Sequence, residues 1–156
     1  MIDLPNKLDY NLLALQIKSL GEDEPYHIPV MANAASLLFH TMKDINWAGF
    51  YIVRDGALIL GPFNGKPACI RIEKGKGVCG TCWEEDRVQR VEDVHLFPGH
   101  IACDGDSNSE IVLPIHKDGK VVAVLDIDSP IKNRFSEEDE DGLLKVAETI
   151  ESIAAF

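Results

Sequence analysis

Trp47-Ala48-Gly49-Phe50-Tyr51-Ile52-Val53-Arg54-Asp55-Gly56-Ala57-Leu58-Ile59-Leu60-Gly61-Pro62-Phe63 is the stretch that decides the fold. Two apolar runs, Trp47 to Val53 and Ala57 to Phe63, flank Asp55-Gly56, the dipeptide that best fits the tight turn of a β-hairpin. The same signature returns downstream, where Glu110 to His116 and Lys120 to Asp128 flank Lys117-Asp118-Gly119. Two hairpins in the middle of the chain predict an antiparallel sheet. Shorter strands are predicted over Ala68 to Ile72 and, at an edge, over Arg87 to Val91.

Outside the hairpins the period changes to that of a helix. Leu8, Leu12, Leu15 and Leu20 recur at near-helical spacing before Gly21, and predict a first helix. Pro29 can open a second, with Ala32, Ala35, Leu38, Phe39 and Met42 on one stripe. Ser136 and Asp139 resemble a capping box, with Asp in place of the preferred Glu or Gln. They open a terminal helix whose apolar face carries Leu143, Leu144, Ala147, Ile150 and Ile153. Gly75-Lys76-Gly77-Val78-Cys79-Gly80 is read as a loop feeding a short helix through Trp83, and Glu92 to Asn108 shows no period. Helices at both ends and hairpins between them give an α+β domain with one central antiparallel sheet. The chain of 156 residues is read as one domain, 1–156.

Composition narrows the partners. A formal charge of −11 repels phosphate backbones and anionic lipid, so neither nucleic acid nor a membrane is expected as a partner. No apolar run approaches the ~20 residues of a membrane span. The start, Met1-Ile2-Asp3-Leu4-Pro5, lacks the basic and apolar regions of a secretory signal, so a cytoplasmic protein is expected. In that compartment its four cysteines are read as reduced thiols.

Those thiols carry the chemistry. Cys69 closes a strand, Cys79 lies in the glycine loop and Cys103 lies in the irregular loop, and all three can meet on one face of the sheet. A lone cysteine is most often a small buried hydrophobe, which suits Cys82 beside Trp83. It suits Cys103 less well, because Asp104 and Asp106 make that loop polar. The same carboxylates raise a thiol pKa, so only His100 or a cationic substrate can offset them. Asp126 and Asp128 are two apart on a strand and share a face, with Ile127 on the other. In a pocket, with Glu110, they can hold an ammonium group and give a proton to a leaving oxygen; exposed, they are a solvated strand end. Cys79-x2-Cys82, His95 and His100 match the spacing of a zinc finger. Leu96-Phe97-Pro98-Gly99 would break the helix that must carry both histidines, so no metal is expected.

Three groups of motifs carry a family resemblance. They are Asn46-Trp47-Ala48-Gly49-Phe50-Tyr51 with Leu60-Gly61-Pro62-Phe63-x-Gly65-Lys66-Pro67-Ala68-Cys69; Gly75-Lys76-Gly77-Val78-Cys79-Gly80-Thr81; and Phe97-Pro98-Gly99-His100-Ile101-Ala102-Cys103-Asp104 with Ser107-x-Ser109-Glu110 and Leu125-Asp126-Ile127-Asp128-Ser129-Pro130. Together they resemble the free methionine-(R)-sulfoxide reductases, a GAF-domain family. The resemblance implies reduction of free L-methionine-(R)-sulfoxide to L-methionine without a cofactor. It implies that Cys103 attacks the sulfoxide sulfur and becomes a sulfenic acid. Cys69 then forms an intramolecular disulfide with it, Cys79 assists, and thioredoxin recycles the enzyme. It further implies that Trp47 packs on the substrate methyl group. Glu110, Asp126 and Asp128 take the ammonium group and the sulfoxide oxygen, and the backbone from Ile101 through Ala102 to Cys103 faces the carboxylate. Homodimers are common among GAF domains. At Cys82 the sequence departs from the pattern, which has alanine after Gly-Thr, and places a fourth thiol near the exchange. A GAF sensor that binds a small ligand without turnover is the competing reading.

Overall fold

Both Asp-Gly turns form as their chemistry demands. Asp55 and Gly56 have φ of 50° and 79°, and Asp118 and Gly119 have 53° and 76°. Positive φ at both central residues is the hairpin geometry whose twist matches the flanking strands. The computed structural model describes residues 7–100 and 105–156.

In chain order the elements are helices α1 (Tyr10–Gly21) and α2 (His27–Thr41), strands β1 (Trp47–Arg54), β2 (Ala57–Gly65) and β3 (Arg71–Ile72), and helix α3 (Gly77–Glu85). Strand β4 (Gln89–Val91), a 3-10 turn (Val94–Leu96), strands β5 (Ser109–Lys117) and β6 (Lys120–Ser129), and helix α4 (Glu137–Ile153) follow. The strands form one antiparallel sheet of order β3-β2-β1-β6-β5-β4. Both prolines in the sheet sit where a missing N–H is tolerated. Pro62 lies where the β1–β2 register slips, and Pro114 lies past the end of β4, which pairs only with Glu110, Ile111 and Val112.

Alternation splits the sheet into two faces. Ala48, Phe50 and Ile52, with Ile111, Leu113, Ile115, Leu125 and Ile127, turn toward α1, α2 and α4 and form the larger core. Trp47, Tyr51, Val112 and Val124 turn the other way, where α3 brings Val78, Cys79 and Cys82. Among the described residues that second face carries one short helix, α3, and the polar residues described below gather there. α4 begins with both arms of a capping box: the Asp139 N–H donates to Ser136 Oγ at 3.1 Å, and the Ser136 N–H donates to Asp139 Oδ2 at 2.9 Å. Aspartate serves because the helix start is further tied by Tyr10, whose hydroxyl donates to Asp139 Oδ1 at 2.7 Å.

Several expectations are corrected. On α1 the buried side is Leu13, Ile17 and Gly21, whereas Leu12, Leu15 and Leu20 are exposed. Both faces of that helix are apolar, so spacing alone chose the wrong one. α2 starts two residues before Pro29, and Ala32 is exposed. The third strand is confined to Arg71–Ile72, which leaves Ala68 and Cys69 in an irregular segment, and the fourth is shortened to Gln89–Val91. Cys79 lies in the first turn of α3 rather than in a loop. Among the described residues, no helix is long and apolar enough to cross a membrane.

Candidate active site

Strand register assembles the site. Trp47 of β1 pairs with Asp128 of β6, and Asp128 pairs with Glu110 of β5, so the three form one row across adjacent strands. The next row on the same face runs Gly49, Asp126, Val112. Cross-strand partners point to the same side of a sheet, so the indole and three carboxyls converge under α3. Here α3 supplies Cys79, whose thiol donates to Asp126 Oδ2 at 3.3 Å. Trp47, Tyr51, Cys79, Glu110, Asp126 and Asp128 all line one pocket, with His100 and Ser107 at its wall.

Burial sets the electrostatics. Glu110 is 7% exposed and Asp126 5%. Burial first, then the charges of Asp126 and Asp128 and hydrogen bonding to them, pushes the Glu110 pKa well above the usual carboxyl range. Asp126 is also raised by burial, against the lowering effect of its bonds with Glu110 and Cys79. Glu110 therefore holds a proton where an ordinary glutamate has lost it. Cys79 is raised as well, by burial and then by the charge of Asp126, and burial raises Cys82 too. Neither is an activated thiolate.

The indole is held by two aromatic neighbours and at its nitrogen. Trp47 is 3% exposed, stacks on Phe63 at 5.2 Å and on Tyr51 at 6.1 Å, and donates from Nε1 to the Lys66 carbonyl at 3.1 Å. Tyr51 donates its hydroxyl to the Cys69 carbonyl at 2.9 Å, which fixes the segment from Lys66 to Cys69 beside the pocket. Cys69 itself is disulfide-bonded, while Cys79 and Cys82 are free thiols. On the far side, Lys66 pairs with Asp106 at 2.8 Å. Ile101, Ala102 and Cys103 lie outside the described residues.

Tyr51 and Ser107 were missed by the sequence reading. Tyr51 had a signal, since it lies four residues after Trp47 on one strand and so shares its face. Ser107 had only its place in the motif Ser107-x-Ser109-Glu110, and its position at the pocket comes with contact to Asn46, at 3.4 Å, across the fold. Cys82 is set apart from the pocket: its thiol points to the Val112 carbonyl at 3.7 Å.

The chain that carries this pocket is matched by known proteins. The sequence matches the GAF domain family over residues 29–153. It is 49% identical over 146 residues to the free methionine-R-sulfoxide reductase of Escherichia coli strain K12, covering 94% of this chain and 88% of that one. The chain belongs to the GAF-type free methionine-R-sulfoxide reductases. Another member-like sequence, protein YtsP of Bacillus subtilis strain 168, is 57% identical over 149 residues, covering 94% of this chain and 91% of its own. In three dimensions, the fRMsr of Staphylococcus aureus in complex with substrate superposes with a TM-score of 0.91 at 50% identity, covering 96% of this chain and 98% of that one. The chain is thus an oxidoreductase of that family.

Proposed function

We propose that this protein reduces free L-methionine-(R)-sulfoxide to L-methionine. The observation that carries the reading is the row Trp47–Asp128–Glu110, with Asp126 beside it, which puts an indole and a buried acid cluster in one pocket. An ammonium group suits ionised Asp126 or Asp128, and a methyl group suits the face of the indole. Glu110, held protonated, is the donor for a sulfoxide oxygen, which departs poorly as an anion. Peptide-bound methionine sulfoxide lacks the free ammonium and would leave the carboxylates unpaired, so free amino acid is preferred.

In this reading the Cys103 thiolate attacks the sulfoxide sulfur and the oxygen, protonated by Glu110, ends on the cysteine. Methionine leaves and Cys103 is a sulfenic acid. The Cys69 thiol attacks that sulfur, water departs, and a disulfide forms. A dithiol, thioredoxin in the expected cycle, takes up the oxidising equivalent and restores both thiols. The disulfide state of Cys69, and its anchoring by Tyr51 at the pocket, support a resolving role. Cys79, hydrogen-bonded to Asp126 and raised in pKa, fits a helper better than a nucleophile. A cytoplasmic location is part of this reading, since the dithiol that recycles the enzyme is found there. So is a homodimer, for which Leu12, Leu15 and Leu20 along α1 offer an exposed apolar surface; sedimentation as a monomer at micromolar concentration would remove it.

Single-turnover release of methionine tests the assignment. Cys103→Ser should release none, and Cys69→Ser should release one equivalent but recycle slowly with thioredoxin. A methionine burst from Cys103→Ser would remove Cys103 as nucleophile.

A further inference from the structure

At the inner end of the pocket a thiol joins two of the carboxyls, a donor set that ammonium recognition does not require. Cys79 Sγ and one carboxylate oxygen each from Glu110 and Asp126 lie within 4.8 Å of one another, and all three residues are buried. Among the described residues no other group of three or more His, Cys, Asp or Glu side chains converges in this way. A second observation points to a missing partner. Asp126 Oδ1 is buried and accepts no hydrogen bond, although Asp126 Oδ2 is bonded to Cys79. A buried carboxylate oxygen left without a donor is uncommon in a folded protein and calls for an explanation.

We propose that Cys79, Glu110 and Asp126 form a binding site for a borderline-soft divalent cation, zinc above all, that occupies the place of the substrate ammonium and blocks turnover. Zinc takes thiolate and carboxylate ligands at about 2.3 Å and 2.0–2.2 Å, so tetrahedral ligation sets sulfur and oxygen about 3.6 Å apart. The Cys79–Asp126 separation is already 3.3 Å. Glu110 and Asp126 project from neighbouring strands and Cys79 from the helix above them, so the three donors face one another across the pocket. Three protein ligands leave one position open to water. The thiolate selects zinc or cadmium over calcium and magnesium, which prefer all-oxygen sites. Ligation takes Cys79 as thiolate and Glu110 as carboxylate, both protons passing to buffer.

This is not the zinc-finger set that sequence spacing offered. Cys82 is turned to the Val112 carbonyl, and His95 Nε2 pairs with Asn108 Oδ1 at 3.0 Å. Of those four residues only Cys79 takes part. The binding half of the proposal stands without any catalytic assignment; the inhibition half rests on the function proposed above.

The test is a zinc titration of the full chain with its disulfide closed, in competition with a chromophoric chelator. One equivalent should bind, at least tenfold more weakly in Cys79→Ser, Asp126→Asn and Glu110→Gln, and unchanged in Cys82→Ser and His95→Ala. Cadmium added to the unsubstituted protein should give the ultraviolet thiolate-to-metal charge-transfer band, which needs no variant to fold. Absence of that band, zinc affinity retained in Cys79→Ser, or affinity lost in His95→Ala would each overturn the site. Zinc should also inhibit reductase turnover, with recovery on chelation. Stoichiometric zinc on a protein with no reductase activity supports the site while removing the proposed function.

Discussion

Replacing Gly49 by alanine would strike the fold and the pocket at one point. Gly49 lies on the pocket face of β1, between Trp47 and Tyr51, and opposite Phe63 of β2. A Cβ there would stand 2.3 Å from Phe63 Cβ, 2.8 Å from Phe63 Cα and 2.8 Å from Trp47 Cη2. Ordinary contact begins more than an ångström farther out than the shortest of these. One of the obstructing atoms is backbone, so β1 and β2 must part or the Trp47–Phe63 stack must open. Overpacking of this kind costs about 1–3 kcal/mol, and the backbone obstruction argues for the upper end. Alanine returns about 0.4–1 kcal/mol by restricting the unfolded chain, so roughly 2 kcal/mol of net destabilisation is expected. For a chain of this size that lowers Tm by about 4–8 °C. Because the indole is one of the groups displaced, kcat/KM for the sulfoxide should fall by about tenfold to a hundredfold. Thermal unfolding and steady-state turnover of the same preparation read both effects. A Gly49→Ala protein with unchanged Tm and unchanged kcat/KM would refute the close packing that positions the indole.

Glu110→Gln should lower turnover by about 10²–10⁴-fold, the usual worth of a general acid. In the unsubstituted enzyme the proton on Glu110 is present below its raised pKa and lost as pH rises through it, so kcat should carry an alkaline limb that the variant lacks; an identical limb in both proteins would assign the proton elsewhere. His116 bridges Asp86, at 2.6 Å, and Glu151, at 3.0 Å, and these partners raise its pKa although burial opposes them. Its stabilising contribution is therefore full below about pH 6.5, the unfolded value, and lost as pH rises through the raised folded value. Urea midpoints should show His116→Gln losing its deficit against the parent as pH climbs from acid to alkaline; parallel profiles would remove the pairing.

The sheet was legible because two Asp-Gly dipeptides sit between runs of the right length, and nothing in the tertiary fold competes with that local preference. The carboxyl cluster was half legible. Alternation placed Asp126 and Asp128 on one face, but only the β5–β6 register shows that Glu110 lies opposite Asp128 on that face. The segment from Gly75 to Gly80 misled for a physical reason. Gly77 has a positive φ of 60° and opens α3, so the helix starts within what glycine content marks as loop. Gly80 is helical and needs to lack a side chain, since a Cβ there would lie 2.5 Å from the Glu73 carbonyl oxygen. α1 misled differently, because a helix with leucines on both faces is oriented by its partners rather than by its own pattern.

The most direct test of the central claim is turnover of free L-methionine-(R)-sulfoxide with dithiothreitol as reductant, beside the (S) epimer and a peptide-bound sulfoxide. Activity on the free (R) form alone is expected, since only that substrate offers the ammonium group to Asp126 and Asp128 with its oxygen toward Glu110. Activity on none of the three would contradict the account and leave the pocket as the ligand site of a GAF sensor.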